Sequence, residues 1–404
     1  APILVESILS MEQRFEGRTN FNDYFNSISS DSLFRQPELA NTLRRIAEFG
    51  ADDFYRGETA ALIVQQMEKS NGLISLEDLD AYAAVWRAPV RAGWRDYEII
   101  SAPPPSSGGF AIVQLLKMKD YLSELFEGVE HNSAQYIHLV AEMEKRVFAD
   151  RAEYLGDPDF FDIDIDALID DDYLARRAAE VNPKAISVLD SVNPGLESPN
   201  TTHYSIVDQW GNAVSNTYTI NWDYGSGVVV GGAGFLLNNE MDDFSAKPGT
   251  PNIYGVVGSV ANEIQPGKRM LSSMSPTIVL KDGEVEMVLG TPGGSTIFTT
   301  VFQVITNIVH FGMSVEEAIG IARFHHQLVP PDLITYSGFT IGQYLPKATV
   351  AGLLERGYRS EPHSFEYGDV QIIMRSGGSW IAASDPRDRG QSRVFEVTTK
   401  TRDR

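Results

Sequence analysis

The chain has 404 residues, 43% of them hydrophobic and 22% charged, with 33 Lys and Arg against 55 Asp and Glu, a net charge of −22. So acidic a surface repels nucleic acid and anionic membranes, and the absence of cysteine excludes disulfides, thiolate metal sites and cysteine nucleophiles. No apolar run reaches the about 18 residues of a membrane span, and the opening Ala1-Pro2-Ile3-Leu4-Val5-Glu6-Ser7 lacks the basic and apolar regions of a signal peptide.

Helical spacing of Leu39, Leu43 and Ile46 predicts a helix over 37–49 that stops at Gly50. A second spans 58–69 and closes at Asn71-Gly72. Ser75-Leu76-Glu77-Asp78 has capping-box spacing and opens a short helix. Residues 90–100 read as a hairpin or two short strands. Pro103-Pro104-Pro105-Ser106-Ser107-Gly108-Gly109 is a rigid segment turning into a loop, and a helix follows over 110–121. A long amphipathic helix is expected over 133–154 and another helix over 173–181. The polar stretch 182–200, with Pro183, Pro194 and Pro199, reads as an exposed linker where chains are cut.

Beyond 200 the texture changes. Strands at 203–207 and 213–219 flank a turn at Gln209-Trp210-Gly211-Asn212. Residues 225–234 are rich in glycine, and Leu236-Leu237 ends an apolar strand. Strands at 277–280 and 285–289 form one hairpin, and 370–374 with 379–383 form another. Between them lie an apolar helix over 296–311 and a helix capped by Ser314-Val315-Glu316-Glu317. Strand runs alternating with apolar helices suggest a layered α/β or α+β architecture.

The chemistry centres on Asn200-Thr201-Thr202-His203-Tyr204. Cleavage before Thr201 would leave that residue with a free α-amine beside its own hydroxyl. An α-amine titrates near ~7.7–8.0, so it can serve as the base that a threonine hydroxyl needs. The same β-branched run is also an ordinary strand start. In a strand, Thr217, Thr219 and Asn221 would face one side; cross-strand threonine pairing explains that pattern equally. Glu240 and Asp243 can grip an ammonium or simply line a solvated turn. Ser272 and Ser273 place hydroxyls between apolar residues, where they can hold a carboxylate without a charge. Gly290-Thr291-Pro292-Gly293-Gly294-Ser295 leads into a helix and is either an oxyanion site or a simple turn. Asp162, Asp164 and Asp166 imitate a calcium loop, but Ala167 and Tyr173 stand where its glycine and glutamate belong. His325 and His326 are adjacent, so on a helix they would face apart and could not form the usual zinc pair.

These segments occur in the order found in one family. Thr201-Thr202-His203-Tyr204-Ser205, Thr217-Tyr218-Thr219-Ile220-Asn221, Leu237-Asn238-Asn239-Glu240-Met241-Asp242-Asp243-Phe244, Leu271-Ser272-Ser273-Met274-Ser275-Pro276 and Gly290-Thr291-Pro292-Gly293-Gly294-Ser295 together resemble γ-glutamyltranspeptidase, an N-terminal-nucleophile hydrolase. Pro103 to Gly109, Tyr154-Leu155-Gly156-Asp157-Pro158 and Ala383-Ser384-Asp385-Pro386-Arg387 also look like family segments, so the likeness covers nearly the whole chain.

The resemblance implies an α+β fold, a four-layer αββα sandwich. It implies self-cleavage between Asn200 and Thr201, with 1–200 as the mostly helical C-terminal part of a large subunit and 201–404 as the small subunit, together one structural domain. Thr201 would be the nucleophile, oriented by Thr219, with backbone N–H groups of Gly293 and Gly294 as oxyanion hole. Asn221, Glu240 and Asp243 would hold the α-amino and α-carboxyl ends of the γ-glutamyl group, with Ser272 and Ser273 on the carboxylate. Residues 247–268 resemble a lid carrying Tyr254, which favours glutathione-type activity over the lidless acylases and poly-γ-glutamate hydrolases. The implied partners are glutathione and other γ-glutamyl compounds, with amino acids or dipeptides as acceptors. No metal or organic cofactor is implied, and the location would be periplasmic or secreted. Two departures stand out: neither the family's early glycine-rich segment nor its carboxylate-binding arginine precedes Thr201, and the sequence after Arg387 is unlike the usual tail. The chain is therefore expected to begin inside the large subunit. A catalytically silent γ-glutamyl-binding protein is the reading this departure motivates.

Overall fold

A computed structural model describes residues 2–29, 33–187, 201–250, 258–388 and 390–396. They fall into two compact units, Ala1–Arg87 with Ile220–Asn239, and Ala88–Thr219 with Glu240–Arg404. Each unit thus draws on both sides of the 200/201 junction.

The first unit is helical. Its helices are α1 (Pro2–Phe15), α2 (Phe21–Phe25), α3 (Pro37–Phe49), α4 (Ala51–Arg56), α5 (Glu58–Ser70) and α6 (Leu76–Ala81). The expected signals act where they stand. Pro37 opens α3 and Gly50 ends it, Asn71 closes α5 in the left-handed region at φ 54°, and Ser75 with Asp78 forms a full capping box on α6. Residues 220–239 run among these helices. Asn20 bonds both the N–H and the carbonyl of Val229, each at 2.9 Å, and Thr42 Oγ1 donates to Ala233 O at 2.9 Å. The apolar strand expected to end at Leu237 is not formed; one isolated pairing, Val229 with Leu236, is present. The glycine-rich segment follows helix side chains instead, with Val229 packed among Phe15, Phe21 and Phe25.

The second unit holds the main sheet. Strands β1 (Val90–Trp94), β2 (Tyr97–Ser101), β5 (Thr277–Lys281), β6 (Glu284–Gly290), β10 (Gln371–Ser376) and β11 (Ser379–Ser384) are antiparallel in the order β1-β2-β5-β6-β10-β11. Strands β3 (Thr201–Val207) and β4 (Ala213–Thr219) form a separate hairpin, and β7 (Arg323–His325), β8 (Leu333–Ser337) and β9 (Arg359–Pro362) a small third sheet. The helices are α7 (Gly108–Tyr121), α8 (Ser123–Phe126), α9 (Ala134–Tyr154), α10 (Ile165–Leu168), α11 (Asp171–Ala179), α12 (Thr296–Val309), α13 (Val315–Gly320) and α14 (Lys347–Glu355).

The layers follow from alternation along the strands. Met287 and Leu289 of β6 join one core with Phe110 and Leu115 of α7, Val140 and Val147 of α9, and Phe298 and Phe302 of α12. The opposite face of β6 receives the hairpin: Ser215 Oγ donates to Leu289 O at 3.0 Å, and a Cβ on Gly290 would collide with the His203 ring. Helices, six-stranded sheet and β3–β4 hairpin therefore stack as successive layers of an α+β sandwich. The hairpin turns Thr201, His203 and Ser205 inward and leaves Tyr204, Ile206, Val214 and Tyr218 exposed.

Two further expectations change, and the discounted calcium-loop aspartate has another role. The helix ending at Tyr154 is not amphipathic: every residue from Tyr136 to Phe148 is buried. Its charges do not form a solvated face but pair internally, Glu142 meeting Lys145 at 2.7 Å and Arg146 at 3.2 Å. His325 ends strand β7 instead of lying on a helix. Asp164 is a helix cap, its carboxylate accepting from Ala167 N at 2.9 Å. The proposed linker falls largely outside the described residues, as 188–200 do.

Candidate active site

Thr201 is the first residue of β3, and the antiparallel register sets it opposite Thr219, the last of β4. Directly opposed Cβ atoms in such a pair lie roughly 4.5–5.5 Å apart, within reach of two hydroxyls. The next inward pair is His203 with Thr217. His203 Nδ1 lies 2.8 Å from Thr217 Oγ1 and Nε2 lies 3.1 Å from Ser205 Oγ. Burial pushes this imidazole down to about 4, so it is neutral and serves as a hydrogen-bonded wedge between hairpin and sheet. Gly290 is required there, because any side chain would occupy the space of the ring.

From Gly290 the chain passes through Thr291-Pro292-Gly293-Gly294 into α12. Gly293 has φ 140° and Gly294 φ 58°, both in the region that favours glycine. Thr291 Oγ1 donates to Pro292 O at 2.8 Å, and Thr296 donates to Gly293 O through Oγ1 at 2.7 Å and through N at 3.1 Å. In a trans peptide the N–H points opposite the carbonyl. With the Pro292 and Gly293 carbonyls held, the N–H groups of Gly293 and Gly294 are turned away from those contacts, as an oxyanion hole requires.

Glu240 and Asp243 sit on a 3₁₀ turn, and their carboxyls are hydrogen-bonded to each other. Burial pushes Glu240 up to about 7. Burial, then the charge of Glu240, raises Asp243 well above the usual carboxylate range, while Arg151 pulls the other way. Asn262 ties this turn to the serine loop: its Nδ2 donates to Asp243 O at 2.7 Å and its Oδ1 accepts from Leu271 N at 3.0 Å. The serine loop is fastened in turn to the proline loop. Ser272 N donates to Pro105 O at 2.8 Å, and Ser107 donates to Ser272 O through N at 2.8 Å and through Oγ at 2.9 Å. Arg151 of α9 lies beneath both loops, donating from Nε to Ser107 Oγ at 3.0 Å and from Nη2 to Ser273 Oγ at 3.2 Å.

The structure thus links Glu240, Asp243, Ser272 and Ser273 through Asn262 and Arg151, and pairs Thr201 with Thr219. Asn221 departs from expectation. Strand β4 ends at Thr219, and Asn221 adopts φ 72°, so it does not continue the Thr217–Thr219 face. It belongs to the helical unit, where its Nδ2 donates to Asn239 O at 3.2 Å. Asn200 and Tyr254 lie outside the described residues. Arg151, Asn262 and Ser107 were not singled out from sequence. The signal available for Arg151 was its place just before the Tyr154-to-Pro158 segment, at a helix C-terminus where an arginine ordinarily reads as a dipole partner.

A threonine at the head of an inward-facing hairpin, with backbone donors at the start of a helix across the sandwich, fits the class of N-terminal-nucleophile hydrolases. The fold agrees: 98% of the chain matches 72% of cephalosporin acylase from Bacillus halodurans with a TM-score of 0.82 at 24% identity. Within that class the chain belongs to the γ-glutamyltranspeptidase family, whose profile matches residues 2–395. It is 56% identical over 384 residues to the glutathione hydrolase proenzyme of Pseudomonas aeruginosa, covering 95% of this chain and 68% of that protein. It is 46% identical over 357 residues to the proenzyme of the same name in Escherichia coli, covering 87% of this chain and 60% of that one. An acylase proenzyme of a Pseudomonas species is 34% identical over 325 residues, 80% of this chain and 54% of that protein.

Proposed function

We propose that the protein is a self-processing γ-glutamyltransferase and glutathione hydrolase. The observation that carries the reading is the register of the β3–β4 hairpin, which pairs Thr201 with Thr219 in a chain of this family. Cleavage after Asn200 frees the Thr201 amine. That amine takes the Oγ proton as Oγ attacks the γ-glutamyl carbonyl, and the Thr219 hydroxyl orients the attacking oxygen. Gly293 and Gly294 N–H groups hold the oxyanion of the tetrahedral intermediate. Its collapse breaks the C–N bond, the proton passes to the departing amine, and a γ-glutamyl ester remains on Thr201. Water releases glutamate; an amino acid or dipeptide amine takes the group instead.

The γ-glutamyl end is held by charge and hydroxyls. Glu240 and Asp243 receive the α-ammonium, and Ser272 and Ser273 donate to the α-carboxylate. Residues 247–268 resemble the family's lid segment, and its Tyr254 lies outside the described residues. The reaction uses no metal or organic cofactor. By family resemblance the protein works in the periplasm or outside the cell, which fractionation of the native host would test.

Intact mass followed over time tests the core of the reading. Two fragments meeting at Asn200/Thr201, absent in Thr201→Ala, together with turnover of glutathione, are the expected result. A Thr201→Ala protein that still hydrolyses γ-glutamyl amides would overturn it. Faster turnover of glutaryl amides than of glutathione would move the protein to the acylase branch instead.

A further inference from the structure

We infer that Arg151 is the positioning residue of the γ-glutamyl end, making Ser273 a hydroxyl donor to the substrate α-carboxylate and favouring Asp243 as an acceptor for its α-ammonium. The inference rests on the function proposed above, and it adds a residue which that mechanism does not use.

Arg151 is 6% exposed, and a buried guanidinium must be met by acceptors or opposite charge. Its neighbours come from three separate segments: Ser107 of the proline loop at 3.0 Å, Ser273 of the serine loop at 3.2 Å, and the field at Asp243 of the 3₁₀ turn. A guanidinium has five donors and no acceptor. Ser273 Oγ is therefore an acceptor toward Arg151, and its one hydroxyl proton is left to point elsewhere. The Ser273 carbonyl is already taken by Ser275 Oγ at 2.8 Å. At Ser107 the same logic has a visible outcome: its Oγ accepts from Arg151 and donates to Ser272 O at 2.9 Å. At Ser273 the recipient is the ligand.

The second effect is on charge. Burial and mutual repulsion both press Asp243 toward its neutral form, and Arg151 opposes them. An α-amino acid carries ammonium and carboxylate on one carbon, so its site must present an acceptor and a donor a few ångström apart. One cation behind the site favours both polarities: it leaves the Ser273 proton free to donate and draws Asp243 toward accepting. The guanidinium is held from two loops at once, by Ser107 Oγ at 3.0 Å and Ser273 Oγ at 3.2 Å.

The test compares four p-nitroanilides on the full chain: γ-glutamyl, glutaryl (no α-amine), 4-aminobutyryl (no α-carboxylate) and butyryl (neither). For Arg151→Met we expect KM to rise about 30-fold for γ-glutamyl, about 5-fold for each singly truncated amide and less than about 2-fold for butyryl, with kcat changing less than about 3-fold. Arg151→Lys keeps the cation without the fork and recovers the 4-aminobutyryl loss better than the glutaryl loss. In a Ser273→Ala background, Arg151→Met adds less than about 2-fold for glutaryl. A loss of the same factor on all four amides, or a fall in kcat with KM unchanged, assigns Arg151 to folding alone and overturns the inference. Calorimetry with L-glutamate and butyrate gives the same contrast without turnover. A parent chain that binds L-glutamate but turns over nothing defeats the proposed function while leaving this contrast to decide Arg151. If Arg151→Met does not fold, Arg151→Lys with Ser273→Ala supplies the cycle.

Discussion

Hairpin β3–β4 and helix α9 handle polarity in opposite ways. The hairpin turns hydroxyls and a neutral imidazole inward and leaves Tyr204, Ile206, Val214 and Tyr218 exposed. Helix α9 buries charged side chains, Glu142, Lys145, Arg146 and Arg151, and meets them with one another, with backbone carbonyls or with loop hydroxyls. The lesson concerns the two ends of the site. In the proposed mechanism bond-making groups are placed by backbone register and turn geometry, which neutral residues can hold, and recognition groups by charge, because a γ-glutamyl α-carbon would present charge.

The largest effect is expected at the proposed nucleophile. Thr201→Ala should lower turnover of glutathione by at least about 10⁴-fold and leave the chain uncut, since in the proposed mechanism its hydroxyl oxygen is the reacting atom. Kinetics and intact mass read both effects. Thr219→Val keeps the strand but removes the paired hydroxyl; kcat should fall about 10²-fold with KM nearly unchanged, the signature of a lost alignment. If KM moved instead, Thr219 would belong to recognition and the division between the two ends would fail.

Gly290→Ala tests whether the hairpin is held by its wedge. The new methyl would meet the His203 ring, so denaturant unfolding should show a loss of about 1–3 kcal/mol. An unchanged midpoint would mean that the hairpin is not seated on β6 through His203.

Glu240→Gln sharpens the recognition end with the smallest change. Glu240 titrates near 7 in the folded protein, above the usual carboxylate range. As pH rises through about 7 it becomes charged and holds the ammonium better, so KM for a γ-glutamyl amide should fall across that step, about 10-fold at most. Glu240→Gln should flatten the step. Stability runs in the other sense. A raised folded pKa means that folding favours the protonated form, so stability is lost as pH climbs from the usual glutamate range to about 7. The variant should therefore gain relative to the parent above pH 7, which melting curves at pH 5 and pH 8 would show.

Much of this architecture was legible in the residues. Gly50, Asn71, Ser75, Ser133 and Ser314 mark helix ends where the structure has them, because capping is a local interaction between neighbours. The hairpins around Asp282-Gly283 and Gly377-Gly378 follow from turn chemistry in the same way. Helix α9 shows where local reading stops. Its charged residues have the spacing of a solvated face, and only packing reveals that Glu142 meets Lys145 and Arg146 inside the protein. Asn221 shows a second limit: two positions past Thr219 it would share that strand's face, yet the strand has already ended and φ has turned positive.

By itself the sequence determined many of the helix ends and hairpins, the order of the Thr, Asp/Glu, Ser and Gly segments, and with them the family. These depend on periodicity, caps and turns that act over a few residues. Tertiary structure alone decided which segments stand behind one another. Arg151 is 122 residues from Ser273, and Asn262 bridges Asp243 and Leu271 by reaching both with one amide. Such contacts depend on where packed helices deliver a side chain, and no local rule records that.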